Sequence, residues 1–277
     1  MLAHYNQLLQ SGKIKADAAQ EQLATKLEQL GTEVTRYSKK GLLRRFVGGS
    51  GSVPRGLFIH GKVGRGKSMM MDAFFKSLSI KGKVRRHFHE FMDEVHQRIH
   101  IFRQQNAADP VKSTAKEIAK GITILCLDEY EINDVTDAMI LSKLFGQMIE
   151  DNVVLVFTSN KKPEDHYKDG LQRNAYLEFC KYLKSVVDTQ SLDSKQDYRL
   201  LAEDSNENYF MPLDYEATQK LKEKFKQMTE DKKIETTIVK VKGREIHVKA
   251  VGKIAYATFN ELCAKALGAA DYLAIAK

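Results

Sequence analysis

The hydrophobic residues of this chain fall into short apolar runs that are separated by helical patterns. Five runs predict strands, at residues 57–60, 85–88, 122–127, 153–158 and 185–189. Between the first two runs, four apolar residues follow the spacing i, i+3, i+4 and i+7, which places them on one face of a helix: Met71, Phe74, Phe75 and Leu78. Strands that alternate with helices predict an α/β fold, with a five-stranded parallel sheet flanked by helices.

The remaining patterns divide the chain into three parts. Further helices are predicted at 67–78, 90–104, 111–120, 134–150 and 174–184, and Asp109-Pro110 is typical of an N-cap followed by proline at the first helical position. A helical region at 16–37 and a linker at 39–52 predict an N-terminal part at 1–55, followed by a core at 56–200. After a polar turn at 203–208, a helix at 215–231 and a hairpin about Lys242-Gly243, formed by 236–241 and 245–251, predict a small α+β appendage at 201–277.

Composition indicates an ordered α/β protein. The 277 residues are 43% hydrophobic and 29% charged, and no stretch reaches the ~18 apolar residues that a membrane span requires. The first residues carry neither a secretory signal nor the pattern of a transit peptide. The three cysteines, Cys126, Cys180 and Cys263, are too far apart for a zinc motif, so we expect them to be reduced thiols in a cytosolic protein. A net charge of +8 would favour binding to nucleic acid or to an anionic membrane surface. The lysines are spread along the whole chain, however, which is typical of side chains that are simply solvated at the surface.

The segment between the first predicted strand and helix fits the phosphate-binding pattern G-x-x-x-x-G-K-[ST]. Its residues are Gly61, Lys62, Val63, Gly64, Arg65, Gly66, Lys67 and Ser68. Glycines let successive backbone N–H groups point at one anion, and the following helix adds its positive end. Lys67 would reach the β- and γ-phosphates of ATP, and the Ser68 hydroxyl would bind Mg²⁺. The plain alternative, a glycine-rich turn before a helix, is disfavoured by the strand and helix on either side.

Polar residues at the ends of two later strands complete a candidate active site. Asp128 follows the apolar run 122–127 and would hold Mg²⁺, and Glu129 would polarise the attacking water. Asn160, after the run 153–158, would orient that water or contact the γ-phosphate, although polar residues there also simply cap a turn. Arg173 lies between the fourth and fifth strands, as either a surface arginine or a finger that reaches a neighbouring subunit's γ-phosphate.

Together these motifs resemble AAA+ ATPases of the ZapE type, which are bacterial division factors with mitochondrial relatives linked to protein quality control. The resemblance rests on residues 61–68, 86–92, 127–129, 134–139, 158–160, 167–173, 197–200, 260–263 and 268–272. It implies an AAA+ sheet order of five-one-four-three-two, a homo-oligomer and ATP hydrolysis with Mg²⁺. It also implies that Asn160 is the first sensor residue and that Arg173 is the finger.

The chain departs from that family after the stretch 268–272, because members usually continue into a further region that closes over the nucleotide, whereas this sequence stops at Lys277. We therefore expect ATP binding to survive while hydrolysis or oligomerisation is weakened.

The sequence leaves several functional alternatives open. The first is an ATPase that drives assembly or remodelling of a protein partner, which the resemblance makes a division-ring or quality-control component. Such a protein would be cytoplasmic, with peripheral contact at the inner face of the membrane as a further expectation. The others are a nucleotide-dependent scaffold that barely turns over and a DNA-associated loader. A metal site at His87, His89, His96 and His100 is disfavoured, and we expect these side chains in the core or at an interface.

Overall fold

The computed structural model describes residues 1–11, 14, 16–47, 52–132, 135–168, 170, 173–192, 210–212, 214–230, 232–241 and 243–276, with the backbone alone for 40–47, 135 and 269. The chain forms two compact units, Met1–Ala202 and Glu203–Lys277. Within the described residues, no helix combines the length and the apolar character that crossing a membrane requires.

The first unit is built on a five-stranded parallel sheet. Its strands are β1 (Gly56–His60), β2 (Lys83–His87), β3 (Ile124–Asp128), β4 (Val154–Ser159) and β5 (Val187–Ser191). They lie side by side in the order β2-β3-β4-β1-β5, which confirms the predicted α/β fold and the predicted strand order. Every residue of β1, β3 and β4 is buried, because helices cover both faces of the sheet, and this is why these strands are nearly continuous apolar runs.

Helices divide into two groups, one on each face. In the first unit they are α1 (Leu2–Gln10), α2 (Ala18–Val47), α3 (Lys67–Ser77), α4 (Phe88–Gln104), α5 (Pro110–Ala119), α6 (Val135–Glu150) and α7 (Arg173–Val186). Helices α1 to α3 pack with Ile124 and Cys126 of β3, whereas α4 to α7 pack with Leu125 and Leu127. Successive residues of β3 thus enter two different hydrophobic clusters, as the period of a strand requires.

Several helix boundaries follow from local chemistry. The predicted cap of α5 is confirmed, because the Asp109 carboxylate accepts hydrogen bonds from the backbone N–H groups of Val111 (3.1 Å) and Lys112 (3.0 Å). The linker predicted at 39–52 is wrong in its first part, since α2 continues to Val47. Leucine and arginine favour helices, and Gly41 alone costs only about 1 kcal/mol in a helix interior.

Other differences from the predicted elements are small. Helix α1 was not predicted. Strand β2 begins at Lys83, earlier than expected, and ends before Phe88, which is buried at the start of α4. Strand β5 lies two residues later than predicted, because α7 runs on to Val186.

The second unit is a three-stranded antiparallel sheet with short helices. It contains α8 (Tyr215–Met228), β6 (Glu235–Val241), β7 (Arg244–Val251), β8 (Ile254–Tyr256), α9 (Phe259–Leu262) and α10 (Ala269–Ile275). The predicted hairpin of β6 and β7 is confirmed, with Gly243 in the left-handed region at φ +81°. The polar turn predicted at 203–208 and the residues Asp231 and Lys242 lie outside the described residues. Asp271, which is 0% exposed, accepts hydrogen bonds from Gly268 N (2.8 Å) and Arg244 Nη2 (2.7 Å), so it ties α10 to β7.

Candidate active site

The phosphate loop joins β1 to α3 in a shape that only glycine tolerates at several positions. Gly64 and Gly66 adopt φ of +78° and +86°, in the left-handed region. A Cβ atom at Gly61 would lie 2.4 Å from the backbone oxygen of Leu192. No described side chain caps the first turn of α3, so its N–H groups remain available to an anion.

Lys67 connects the phosphate loop to Asn160. Its side chain is 8% exposed, and its Nζ donates hydrogen bonds to the backbone oxygens of Gly61 (2.7 Å) and Lys62 (2.8 Å) and to Asn160 Oδ1 (2.9 Å). The structure therefore brings together two residues that are 93 positions apart in the sequence and that were both predicted to face the γ-phosphate. Phosphate oxygens are acceptors of the same kind as the oxygens that Lys67 now contacts.

Asp128 lies at the end of β3 and is 1% exposed. Its Oδ1 accepts a hydrogen bond from Thr158 Oγ1 (2.9 Å), and its Oδ2 accepts from Arg85 Nε (2.7 Å) and lies 2.6 Å from Arg85 Nη2. The same guanidinium contacts Asp72 on α3 (2.7 Å) and approaches the backbone oxygen of Ser68 (3.5 Å). Arg85 therefore lies between Ser68 and Asp128, the two residues predicted to hold Mg²⁺.

Glu129 leaves the line of β3 through a left-handed backbone conformation, with φ +60°. Such a conformation costs a residue with a side chain about 1–3 kcal/mol and is concentrated at functional sites. The Glu129 side chain is exposed, and its backbone N–H donates to Thr158 Oγ1 (3.1 Å). Thr158 thus holds both Asp128 and Glu129 at the end of the neighbouring strand.

A cavity of about 770 Å³ opens beside the phosphate loop, over the carboxyl ends of β1 and β4. Gly61 and Asn160 line it together with four lysines, which are Lys62, Lys161, Lys162 and Lys168. Its volume falls within the range of small-molecule sites, and the concentration of positive charge suits a polyphosphate.

Comparison with known proteins agrees with these features. The model of the AFG1-like ATPase family matches residues 1–277. The chain belongs to the AFG1-like ATPase family. This confirms the resemblance that the motifs indicated.

Individual relatives of this family member come from animals and bacteria. Lactation elevated protein 1 homolog B of Danio rerio is 36% identical over 237 residues, which are 81% of this chain and 47% of the relative. Cell division protein ZapE of Escherichia coli K12 is 32% identical over 224 residues, which are 80% of this chain and 59% of the relative. The chain thus spans about half the length of the curated relatives it matches. Among solved structures, DnaI shares 14% identity with a TM-score of 0.44, covering 67% of this chain and 87% of DnaI, a likeness too low to support a functional argument.

The residues of this family member fit a nucleotide with Mg²⁺. Mg²⁺ takes oxygen ligands and keeps several waters, so one hydroxyl and one carboxylate are a sufficient protein contribution. Ser68 is exposed in the first turn of α3, and the Asp128 carboxylate already faces a cationic group, the Arg85 guanidinium. Ser68 and Asp128 would hold a bound Mg²⁺, which would neutralise part of the negative charge of the phosphates and of Asp128.

Arg173, the first residue of α7, is held within its own chain. Its guanidinium donates to the backbone oxygens of Glu164 (2.7 Å) and His166 (2.8 Å) and also to that of Tyr167. These carbonyls belong to the segment that follows Asn160, so Arg173 fixes the wall of the cavity. Its role as a finger toward a neighbouring subunit stays a prediction.

A buried polar group supports the end of β4 behind Asn160. His166 is 1% exposed, and its Nε2 lies 2.9 Å from Ser159 Oγ, which in turn donates to the backbone oxygen of Tyr130 (2.8 Å). Burial, followed by the nearby charge of Lys161, lowers the pKa of His166 to about 4. The imidazole is therefore neutral at pH 7, and it belongs to the scaffold of the site.

The four histidines considered for a metal site do not form one. His87, His89, His96 and His100 are all exposed, so the core position is wrong, and the interface position stays a prediction. His96 Nε2 pairs with Asp137 (2.8 Å), and no group of three or more metal-ligating side chains occurs among the residues that the structure describes. Helix α4 turns its apolar residues toward the sheet, which leaves its histidines on the solvent side.

Sequence reasoning missed two polar residues of this site. Arg85 was read only as part of a strand, and no signal in the sequence could have marked it, because its neighbours in β2 are themselves partly or fully exposed. Lys76, followed by Arg85, also holds the pKa of Asp72 below its ordinary value. The second missed residue is Gln20 of α2, whose amide nitrogen donates to the backbone oxygen of Arg65 in the phosphate loop (3.1 Å).

Proposed function

We propose that this chain binds ATP with Mg²⁺ and hydrolyses it, and that hydrolysis drives assembly or remodelling of a protein partner. The observation that carries the proposal is the position of Lys67, whose amine lies within 2.9 Å of both the loop carbonyls and Asn160. A glycine loop, a lysine and a polar residue at the adjacent strand end are the groups that phosphoryl transfer needs around a γ-phosphate.

Each residue has a role in the proposed reaction. Lys67 and the loop N–H groups bind the β- and γ-phosphates, and Ser68 and Asp128 hold Mg²⁺. Glu129 accepts a proton from water while the water oxygen attacks the γ-phosphorus, and the bond to the bridging oxygen breaks to release ADP and phosphate. Asn160 orients the water.

The biological setting is proposed from the relatives. One of them is named a cell division protein, and we extend a role in bacterial division, at the cytoplasmic side of the membrane, to this chain. The partner would be a protein of the division ring, with a quality-control component as the other candidate. Oligomers of this chain would supply Arg173 to the neighbouring site.

A second candidate is a nucleotide-dependent switch with little turnover. It is favoured by the hydrogen bonds that hold Arg173 to three carbonyls of its own chain, since a finger acting on a neighbour would have to give them up.

Steady-state ATP hydrolysis tests both candidates. Turnover should rise more than linearly with protein concentration in the parent and be lost in Glu129→Gln and in Arg173→Ala. Because a shared site takes Glu129 from one subunit and Arg173 from the next, mixing the two inactive variants should restore part of the activity. Arg103→Ala, an exposed arginine on α4, is the matched control. Tight ATP binding without turnover in the parent would support the switch, and a mixture that stays inactive would exclude a finger acting between subunits.

A further inference from the structure

The first turn of α2 places a buried glutamine against the phosphate loop. Asp17 Oδ1 accepts hydrogen bonds from the backbone N–H groups of Ala19 (2.9 Å) and Gln20 (3.0 Å), which fixes the start of the helix. Gln20 is 0% exposed, and its Nε2 donates to the backbone oxygen of Arg65 (3.1 Å). A Cβ atom at Gly66 would lie 2.9 Å from that same nitrogen, so the contact depends on a glycine in the loop.

The Arg65 carbonyl fixes which way the amide of Gln20 faces. A carbonyl oxygen only accepts hydrogen bonds, so the nitrogen of the amide must face it, and the amide oxygen must face away. That oxygen, Gln20 Oε1, is buried and has no hydrogen-bond partner among the described residues. The Nε and Nη1 atoms of Arg65 are likewise buried without a partner in the described part of the chain.

Buried polar atoms without a hydrogen-bond partner are rare in proteins. Here three such atoms belong to Gln20 and Arg65, two residues that are in contact. Gln20 meets the loop at Arg65 and Gly66, outside the cluster that Lys67 forms with Asn160. Under the proposed function Lys67 and Asn160 bind the phosphates, which leaves the acceptor of Gln20 and the donors of Arg65 for another part of the nucleotide.

We propose that Gln20 recognises the base of the bound nucleotide and selects an amino-substituted purine. This proposal rests on the proposed function. Gln20 Oε1 accepts a hydrogen bond from the exocyclic amino group of adenine, and Arg65 donates to acceptors of the same nucleotide. A 6-oxo purine presents an oxygen at that place, opposite another oxygen. Rotating the amide does not relieve this conflict, because it would set Oε1 against the Arg65 carbonyl.

Nucleotide affinities measured without turnover test the proposal. The probes are ATP, inosine triphosphate, which carries a 6-oxo group, and inorganic tripolyphosphate, which has no base. The parent chain should bind ATP roughly 5- to 150-fold more tightly than inosine triphosphate, which corresponds to the ~1–3 kcal/mol of one correctly paired base edge. Gln20→Met should lower ATP binding to the level of inosine triphosphate. Because this change also removes the contact with the loop carbonyl of Arg65, tripolyphosphate binding measures that part of the loss, and the deciding readout is the ratio of ATP to inosine triphosphate affinity. Gln22→Met, on the exposed side of the same helix, should behave as the parent.

The outcomes separate this proposal from the proposed function. An unchanged ratio of ATP to inosine triphosphate in Gln20→Met would overturn base recognition, and so would an equal loss of both, which would indicate contact with the ribose. If the parent binds none of the three probes, or if Lys67→Ala leaves their binding unchanged, the proposed function itself fails. The parent alone gives a second test that needs no folded variant: purine riboside triphosphate, with no substituent at position 6, should bind more weakly than ATP and more tightly than inosine triphosphate.

Discussion

Replacing Arg85 with methionine should destabilise the first unit strongly, because it leaves the Asp128 carboxylate buried without its cation. Asp128 is 1% exposed, and both contacts that Arg85 makes with it are to the same oxygen, Oδ2, at 2.7 Å and 2.6 Å. Thr158 would remain as a hydrogen-bond donor to the other oxygen, Oδ1. Methionine keeps most of the length of the arginine stem, so the loss is mainly that of the charged group.

The size of the effect follows from the burial of the two partners. Removing one member of a buried ion pair costs about 3–5 kcal/mol, and we expect the lower end because the Arg85 side chain is 24% exposed. For a unit of about 200 residues, each kcal/mol shifts the midpoint of thermal unfolding by about 2–4 °C, so the midpoint should fall by roughly 6–12 °C.

The assay is thermal unfolding followed by circular dichroism, without nucleotide or Mg²⁺. A second substitution, Asp128→Asn, should raise the midpoint of Arg85→Met again, because a neutral amide needs no buried cation. Arg103→Met is the control for loss of an exposed arginine. The reasoning is refuted if Arg85→Met unfolds within about 2 °C of the parent, or if Asp128→Asn lowers the midpoint of Arg85→Met further.

Two further predictions concern the scaffold around the site. In Gly56→Ala a new Cβ would lie 2.1 Å from the backbone oxygen of Leu155, so urea unfolding should show a loss of at least about 2 kcal/mol. In Gly146→Ala the new Cβ would meet no atom within 4 Å beyond the nearby backbone of its own helix, α6, so the free energy of unfolding should rise by about 0.5–1 kcal/mol. Similar effects of the two changes would contradict this. Burial lowers the pKa of His166 to about 4, below its value in the unfolded chain, so protonation favours unfolding and stability should fall by about 1 kcal/mol per pH unit as the pH drops from about 6.5 to 4. His166→Gln should flatten that dependence, and an unchanged slope would assign it to other groups.

Sequence patterns predicted the sheet and the phosphate loop because both are local. The residues of β1, β3 and β4 are buried on both faces, so they form apolar runs that can be recognised without knowing the fold. Parallel strands that end at one edge then place Asp128 and Asn160 close to the loop. Backbone geometry and strand order thus account for the predicted part of the site.

The contacts that sequence reasoning missed join distant segments. Arg85 and Asp128 are 43 residues apart, and Gln20 and Arg65 are 45 apart. Neither Gln20 nor Arg85 belongs to a recognisable motif, and each gains its role only when the chain folds. The helical continuation of α2 to Val47 was missed for a different reason. A glycine and a group of basic residues predict the start of a linker, but such residues also occur within helices.

The position of α1 and α2 sets a lower limit on the part of this chain that can act as a nucleotide-binding module. Tyr5, Leu23 and Leu27 are nearly or fully inaccessible to solvent, and they share one hydrophobic cluster with Leu57 and Ile59 of β1. A fragment that began at β1 would keep every residue of the phosphate-binding motif. It would nevertheless leave that face of the sheet covered by α3 alone, and the loop would lose its contact with α2. The smallest functional piece is therefore defined by the two-sided covering of the sheet, and it is larger than its recognisable motifs.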